Sequence, residues 1–238
     1  MRIGNTELQP LTKNLLFINI FLFAATYLVR YKLKIDLNDY LAAYFPLAPN
    51  FKPWQLITHM FMHGGLTHLF FNMFGLFMFG NFLERVLGSK KMFILYFVAG
   101  FGAIGLNYLA QWYEISKSID PIEAARLGGS MAYIKQMLAQ IQDSVGRPIT
   151  GVLGASGALY GVMAAFAYLF PNTEMIFLII PYPIKAKYLV PGIVVLDLIL
   201  GFNPQFGTGI AHFAHVGGAL FGFLTIYYWN KVNRKNFY

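Results

Sequence analysis

The sequence predicts an all-α membrane protein, a six-transmembrane-helix bundle made by a single domain over residues 1–238. Three observations carry that expectation. Hydrophobic residues make up 57% of the chain and charged residues only 12%, whereas soluble domains average roughly 25% charged and 45–50% apolar. Six apolar runs approach the about 20 residues that cross a ~30 Å hydrocarbon core as a helix. No internal repeat or low-complexity linker divides the chain. The absence of cysteine excludes disulfides, thiolate metal sites and a cysteine nucleophile.

The runs fall near 13–29, 66–83, 92–112, 151–170, 188–202 and 210–229. The first begins too deep and lacks a small-residue cleavage site, so no cleavable signal peptide is expected. The fifth is the shortest and contains both Pro191 and Asp197. Short basic connections set the orientation: Arg85, Lys90 and Lys91 follow the second run, Lys185 and Lys187 precede the fifth, and Lys231, Arg234 and Lys235 follow the sixth. With the N-terminus inside, the inner side holds ten Lys/Arg and three acids, against eight and six outside. The net charge of +8 is thereby accounted for by topology. A nucleic-acid partner, which needs basic residues gathered on one soluble face, is not expected. The expected location is a bacterial inner membrane, with the lipid bilayer as surroundings and both termini cytoplasmic. Two long outer segments result, 30–65 and 113–150. The second carries Met131, Ile134, Leu138 and Ile141 at helical spacing, which predicts an amphipathic helix near 131–143 lying at the membrane interface.

Polar and ionisable residues inside a membrane are costly, so each is a functional suspect. Here they cluster. His68 and Asn72 fall early in the second run, Ser156 early in the fourth and His215 early in the sixth. Even-numbered spans run in the same direction, so all four residues reach similar depth below the outer surface. Taken singly, a membrane serine usually bonds its own i−4 carbonyl, and a lone histidine is more often structural. The small residues around these two change the balance. Gly154 and Gly157 flank Ser156, and Gly161 follows at i+4 from Gly157. His215, Gly218 and Gly222 form one stripe at i, i+3 and i+7. Small residues let helix backbones approach closely, as a serine and a histidine on different helices must do to hydrogen-bond. His68 and Asn72, at i and i+4, share a face from which side-chain donors could stabilise an oxyanion beside Ser156.

Taken together and in order, His59-xxx-His63-xxxx-His68-xxx-Asn72, Gly154-Ala155-Ser156-Gly157-Ala158-Leu159-Tyr160 and Ala214-His215-xx-Gly218-xxx-Gly222 resemble the rhomboid family of intramembrane serine proteases, over about residues 10–230. The resemblance implies a rhomboid-like bundle and an intramembrane serine endopeptidase without a cofactor or metal, whose partners are single-pass transmembrane substrates. It implies a Ser–His dyad without an acid: Ser156 the nucleophile, His215 the general base and later acid, and His68, Asn72 and the Ser156 backbone N–H the oxyanion hole. Tyr160 would stack on His215 and orient it. The fifth span would act as a mobile gate, and Glu84 would tie the second span to the first outer loop, which Trp54 opens. The family often has Trp-Arg at that point; here the pair is Trp54-Gln55.

Other chemistries are less well served. A helical zinc motif needs Glu directly after the first histidine of His59 and His63, and Met60 stands there. Asp197 is the one acid inside a predicted span. The residues alone leave contact between Asp197 and His215 open, while the dyad implies that Asp197 faces water or a backbone donor. His212 is expected at the helix mouth, solvated. The alternative from another class is a non-catalytic rhomboid-like protein that binds clients, or a transporter. The first would lack the serine or the histidine, and the second would show broken helices in repeated halves.

Overall fold

The structure, a computed structural model, describes residues 7–117, 119–145, 151–177, 180–202 and 210–232. The long helices are α1 (Pro10–Leu33), α4 (Leu66–Gly75), which runs on through one π-helical turn (Leu76–Gly80) into α5 (Asn81–Leu87), α6 (Ser89–Lys117), α9 (Ser156–Leu169), α10 (Ala186–Gly201) and α11 (Ile210–Val232). Helices α2 (Asn38–Leu41) and α3 (Gln55–Thr58) lie in the first outer segment, and α7 (Pro121–Arg126) and α8 (Ser130–Val145) in the second. Among the described residues, three helices are both long and apolar enough to cross a membrane: α1, the continuous rod Leu66–Leu87, and α6.

Side-chain placement is that of a protein solvated by lipid. On α1 the buried residues are Thr12, Leu15, Asn19 and Thr26, three of them polar, while Phe17, Phe21 and Leu28 point outward. Phe70, Phe71, Phe74 and Phe77 are likewise exposed on the Leu66–Leu87 rod. The core between helices is built on Leu76, Leu83, Met92, Leu95, Tyr96, Val162 and Ile226.

The expectation of an all-α chain is corrected between α9 and α10. There β1 (Glu174–Phe177) and β2 (Ile180–Lys185) form an antiparallel hairpin that pairs Glu174 with Lys185 and Met175 with Ile184. Pro181 and Pro183 disfavour a helix here, and the Ile, Phe and Tyr around them suit strands.

Two further expectations change. Glu84 does not reach the first outer loop. It stands 18 residues after Leu66 along the rod, ~27 Å away at helical rise, at the opposite end. There its buried carboxylate accepts hydrogen bonds from the Leu11 N–H (2.8 Å), the Thr12 N–H (2.7 Å) and the hydroxyls of Thr12 and Ser89 (2.7 Å each). It thus caps the first turn of α1 with an anion, where free N–H groups and the helix dipole favour one. The amphipathic helix is present as α8, but Ile134 and Leu138 pack on Tyr44 and Ala48 of the first outer segment, not on the membrane interface. Met131 is exposed, and the side chain of Ile141 lies outside the described residues.

The loop that Trp54 opens is organised by its neighbour. Gln55 is fully buried. Its amide nitrogen donates to the carbonyls of Tyr40 (3.1 Å) and Asn50 (3.0 Å), and its oxygen accepts from the Lys52 N–H (3.0 Å). One turn on, His59 is buried and its Nδ1 bonds the Gln55 carbonyl at 2.8 Å. His63 is also buried, and its ring stands edge-on to His68 with 5.0 Å between centroids.

What positions the site is a seam of small residues between α6, α9 and α11. A Cβ built on Gly218 would lie 1.8 Å from the Gly157 carbonyl oxygen, and one on Gly222 would lie 2.3 Å from the Gly161 Cα. On Gly161 it would meet Ala99 Cβ of α6 at 2.2 Å. The obstacles are largely backbone, which no rotamer change can move.

Two outcomes follow for stability. Gly218→Ala should destabilise the protein in detergent by about 1–3 kcal/mol or more despite alanine's better helix propensity. Gly105→Ala on α6, where a Cβ meets nothing within 4 Å, should be neutral or mildly stabilising. Equal melting temperatures for the two variants would contradict the seam. Burial pushes His59 and His63 down to about 4, from an ordinary histidine value of about 6.5. Between those values the unfolded chain binds more protons than the folded one. Stability is therefore complete above about pH 6.5 and is lost as the pH falls towards about 4. Thermal melting across this window should show the loss, and a His59→Gln/His63→Gln chain should show less of it; an unchanged slope in that chain would exclude these two histidines as its source.

Candidate active site

The fourth apolar run becomes helical only at Ser156, five residues later than its hydropathy suggests. The cause lies in the approach. Val152 pairs with Ala43 of the first outer segment in an isolated bridge, and the Gly154 N–H donates to the His59 carbonyl at 2.9 Å. Gly154 holds φ at +125°, a conformation that residues with a Cβ rarely adopt. A Cβ there would also press to 2.8 Å from the His68 ring. The first intrahelical bond then runs from the Leu159 N–H to the Ala155 carbonyl. That leaves the N–H groups of Ser156, Gly157 and Ala158 without an intrahelical partner at the positive end of the helix.

Across the seam, His215 Nε2 lies 2.9 Å from Ser156 Oγ. Tyr160, one turn after Ser156, stacks on the His215 imidazole with centroids 4.2 Å apart and planes 10° from parallel. Gly157 and Gly161 face Gly218 and Gly222 below this pair, so these glycines act through the helix separation. His68 belongs to the same neighbourhood through its contact with Gly154. Asn72, one turn further along α4, is buried, and its amide nitrogen has no hydrogen-bond partner among the described residues. The structure thus joins Ser156, His215 and Tyr160 directly, sets His68 beside them, and keeps Asn72 as a buried donor with no hydrogen bond to Ser156 among the described residues. A cavity of about 30 Å³ opens against Ser156, His215, Gly154 and His59, enough for a water molecule.

Asp197 and His212 are where the structure departs from expectation. Asp197 is only 6% exposed, so it does not face water, and its partners are side chains rather than a backbone donor. Its Oδ1 lies 2.6 Å from His212 Nδ1, and its Oδ2 lies 3.3 Å from His215 Nδ1. The Tyr160 hydroxyl interacts with the same carboxylate. His212, expected to be solvated, is turned inward to that contact. Sequence spacing could not reveal this, because α10 and α11 meet at an angle and rotation that no local pattern encodes. The one available signal was the cost of an acid within an apolar run. Asp197, His212 and His215 also form the one histidine–carboxylate grouping among the described residues whose ligand atoms lie within 4.8 Å of one another. His59 and His63, the zinc rival, form no such grouping.

Comparison with known proteins identifies the family. The Rhomboid domain profile matches residues 50–231. The chain is 30% identical over 184 residues to Rhomboid protease AarA of Providencia stuartii, covering 72% of this chain and 54% of that one. It is 30% identical over 181 residues to Rhomboid protein 1, mitochondrial, of Saccharomyces cerevisiae, covering 76% and 43%. A third relative, RHOMBOID-like protein 6, mitochondrial, of Arabidopsis thaliana, is 30% identical over 173 residues, covering 71% and 41%. The alignments span about half the length of these relatives or somewhat less. Since mitochondrial proteins stand among them, the comparisons support an integral membrane protein and do not single out the expected bacterial inner membrane. On the match to most of its length, the chain belongs to the rhomboid family of intramembrane proteases.

Proposed function

We propose that this protein is an intramembrane serine endopeptidase that cleaves transmembrane segments of single-pass client proteins, with Ser156 as nucleophile and His215 as general base and acid. The observation that carries the proposal is the 2.9 Å contact between Ser156 Oγ and His215 Nε2, made at the N-terminal end of a helix. Ser156 Oγ attacks the scissile carbonyl while Nε2 takes its proton. The tetrahedral oxyanion is met by the Ser156 N–H, with His68 and Asn72 as side-chain donors from α4. Collapse of the intermediate breaks the C–N bond, and His215 returns its proton to the leaving amine. A water, deprotonated in turn by His215, attacks the acyl ester and releases the new carboxyl terminus and Ser156. Tyr160, stacked on the imidazole, limits its rotation throughout. Gly157, Gly218 and Gly222 serve by bringing the two helices together, and Gly154 by the positive-φ turn that leads into α9 beside His68.

Six spans are proposed for the bundle, α9, α10 and α11 joining the three that satisfy length and composition alone. Both termini then lie on the side of the short basic connections, the cytoplasm if the host membrane is a bacterial inner membrane. A client helix must unwind locally before it can be cut, because an intact helix hides its carbonyls in its own hydrogen bonds.

Labelling with a serine-directed fluorophosphonate, paired with cleavage of a tagged transmembrane client, tests the proposal. The wild-type chain should label and cleave. Ser156→Ala and His215→Ala should each lose at least about 10³-fold in cleavage, with Ser156→Ala unlabelled and expression of both unchanged. Cleavage persisting in Ser156→Ala would overturn Ser156 as the nucleophile, and a wild-type chain that neither labels nor cuts would replace the proposal with a client-binding or transport role.

A further inference from the structure

We infer that Asp197 on α10 orients the base, making the site a Ser156–His215–Asp197 triad with His212 as the second anchor of the carboxylate. The inference rests on the assignment of Ser156 and His215 above, and departs from the acid-free dyad that family resemblance implies. A neutral imidazole has two tautomers, and a base for Ser156 must carry its proton on Nδ1 so that Nε2 is free to accept. His215 Nδ1 is buried and has no hydrogen-bond partner among the described residues. The nearest group suited to that proton is Asp197 Oδ2 at 3.3 Å.

The acid is itself held in place. Oδ1 of Asp197 takes the His212 Nδ1 contact at 2.6 Å, short for an N–H···O bond and characteristic of a charge-assisted one. That fixes one oxygen and turns the other toward His215. The Tyr160 ring stacks on His215, and its hydroxyl interacts electrostatically with the same carboxylate, so one side chain is coupled to both base and acid. The groups facing His215 are therefore Ser156 and Tyr160 from α9, Asp197 from α10, His212 from its own helix and His68 from α4. Asp197 is the one acid in this set. A negative charge almost without exposure, within a span, costs far more than a neutral residue would. Stabilising the imidazolium that forms when Ser156 loses its proton is a role that offsets this cost. The step balances without a co-reactant, since the proton from Ser156 Oγ stays on Nε2 until the amine leaves and Asp197 remains a carboxylate throughout. Because α10 supplies the carboxylate but neither nucleophile nor base, the seat of α10 against α11 decides whether His215 is oriented.

The test measures kcat and KM for a transmembrane client, fluorophosphonate labelling rate and melting temperature on the full chain. Asp197→Asn should lower kcat by roughly 10²–10⁴-fold, with KM within about threefold and melting temperature unchanged, because an amide can favour the wrong tautomer. Labelling should slow in parallel. Asp197→Glu, which keeps the carboxylate, should recover part of kcat, and His212→Ala should cost kcat less than Asp197→Asn does. Asp197→Asn within about threefold of wild type, while Ser156→Ala is silent, would overturn the triad and leave the dyad standing. A wild-type chain that neither labels nor cleaves would overturn both. Should Asp197→Asn fail to fold, the wild-type imidazole proton resonances decide. A low-field Nδ1 proton retained in Ser156→Ala and lost in His215→Ala supports the triad, and its absence overturns it.

Discussion

Bare backbone contact between α9 and α11 is the constraint on which the rest of the structure depends. Gly157 meets Gly218, and Gly161 meets Gly222, at separations that leave no room for even one methyl. Within a bilayer there is little hydrophobic drive for helices to associate, so close van der Waals packing of this kind must supply much of it. Its consequence is chemical. With two helices this near, a short serine and a histidine meet directly at 2.9 Å, one turn or less from the closest approach. The α6 residues Ala99 and Ala103, which a Cβ on Gly161 or Gly157 would strike, close the seam from the third side.

A second layer of order comes from the first outer segment. Gln55 gathers four backbone groups, those of Tyr40, Tyr44, Asn50 and Lys52, and the Tyr108 hydroxyl of α6 donates to the Tyr44 carbonyl at 2.7 Å. The Ala43–Val152 bridge and the Gly154–His59 hydrogen bond pass that order on to the start of α9. The residues before Ser156 are thereby fixed from outside the bundle, and α8 covers the segment that fixes them. The N-terminal N–H groups of α9 owe their placement as much to this loop as to the helix itself.

What was legible in the sequence follows a physical rule. Ser156, His215, His68 and Asn72 stood out because each is costly inside an apolar run, and Tyr160 because it lies one turn from Ser156. The glycine stripe was readable because its spacing repeats along single helices. The six runs matched helices because hydropathy is a local property. Asp197 and His212 were visible as residues, but their contact was not, since it depends on how two helices are seated. Glu84 was assigned to the wrong end of its span because the resemblance named a role without a position along the rod. The hairpin before α10 was missed because it lies between the fourth and fifth apolar runs, where two short apolar stretches do not disclose that they pair with each other. The partner of α8 was missed because an apolar face does not disclose whether protein or lipid covers it.

The Glu84 carboxylate has a consequence for the order of events in biosynthesis. It caps Thr12 from 72 residues further along the chain. At roughly 5–20 residues per second, about 4–14 s separate the synthesis of the two. During that interval α1 must hold its place through its outward apolar face, which includes Phe17, Phe21 and Leu28, without the cap on its first turn. The clasp between the first helix and the bundle is thus a late event, and a ribosome that pauses between the first and second spans prolongs the period in which the leading helix is least secured.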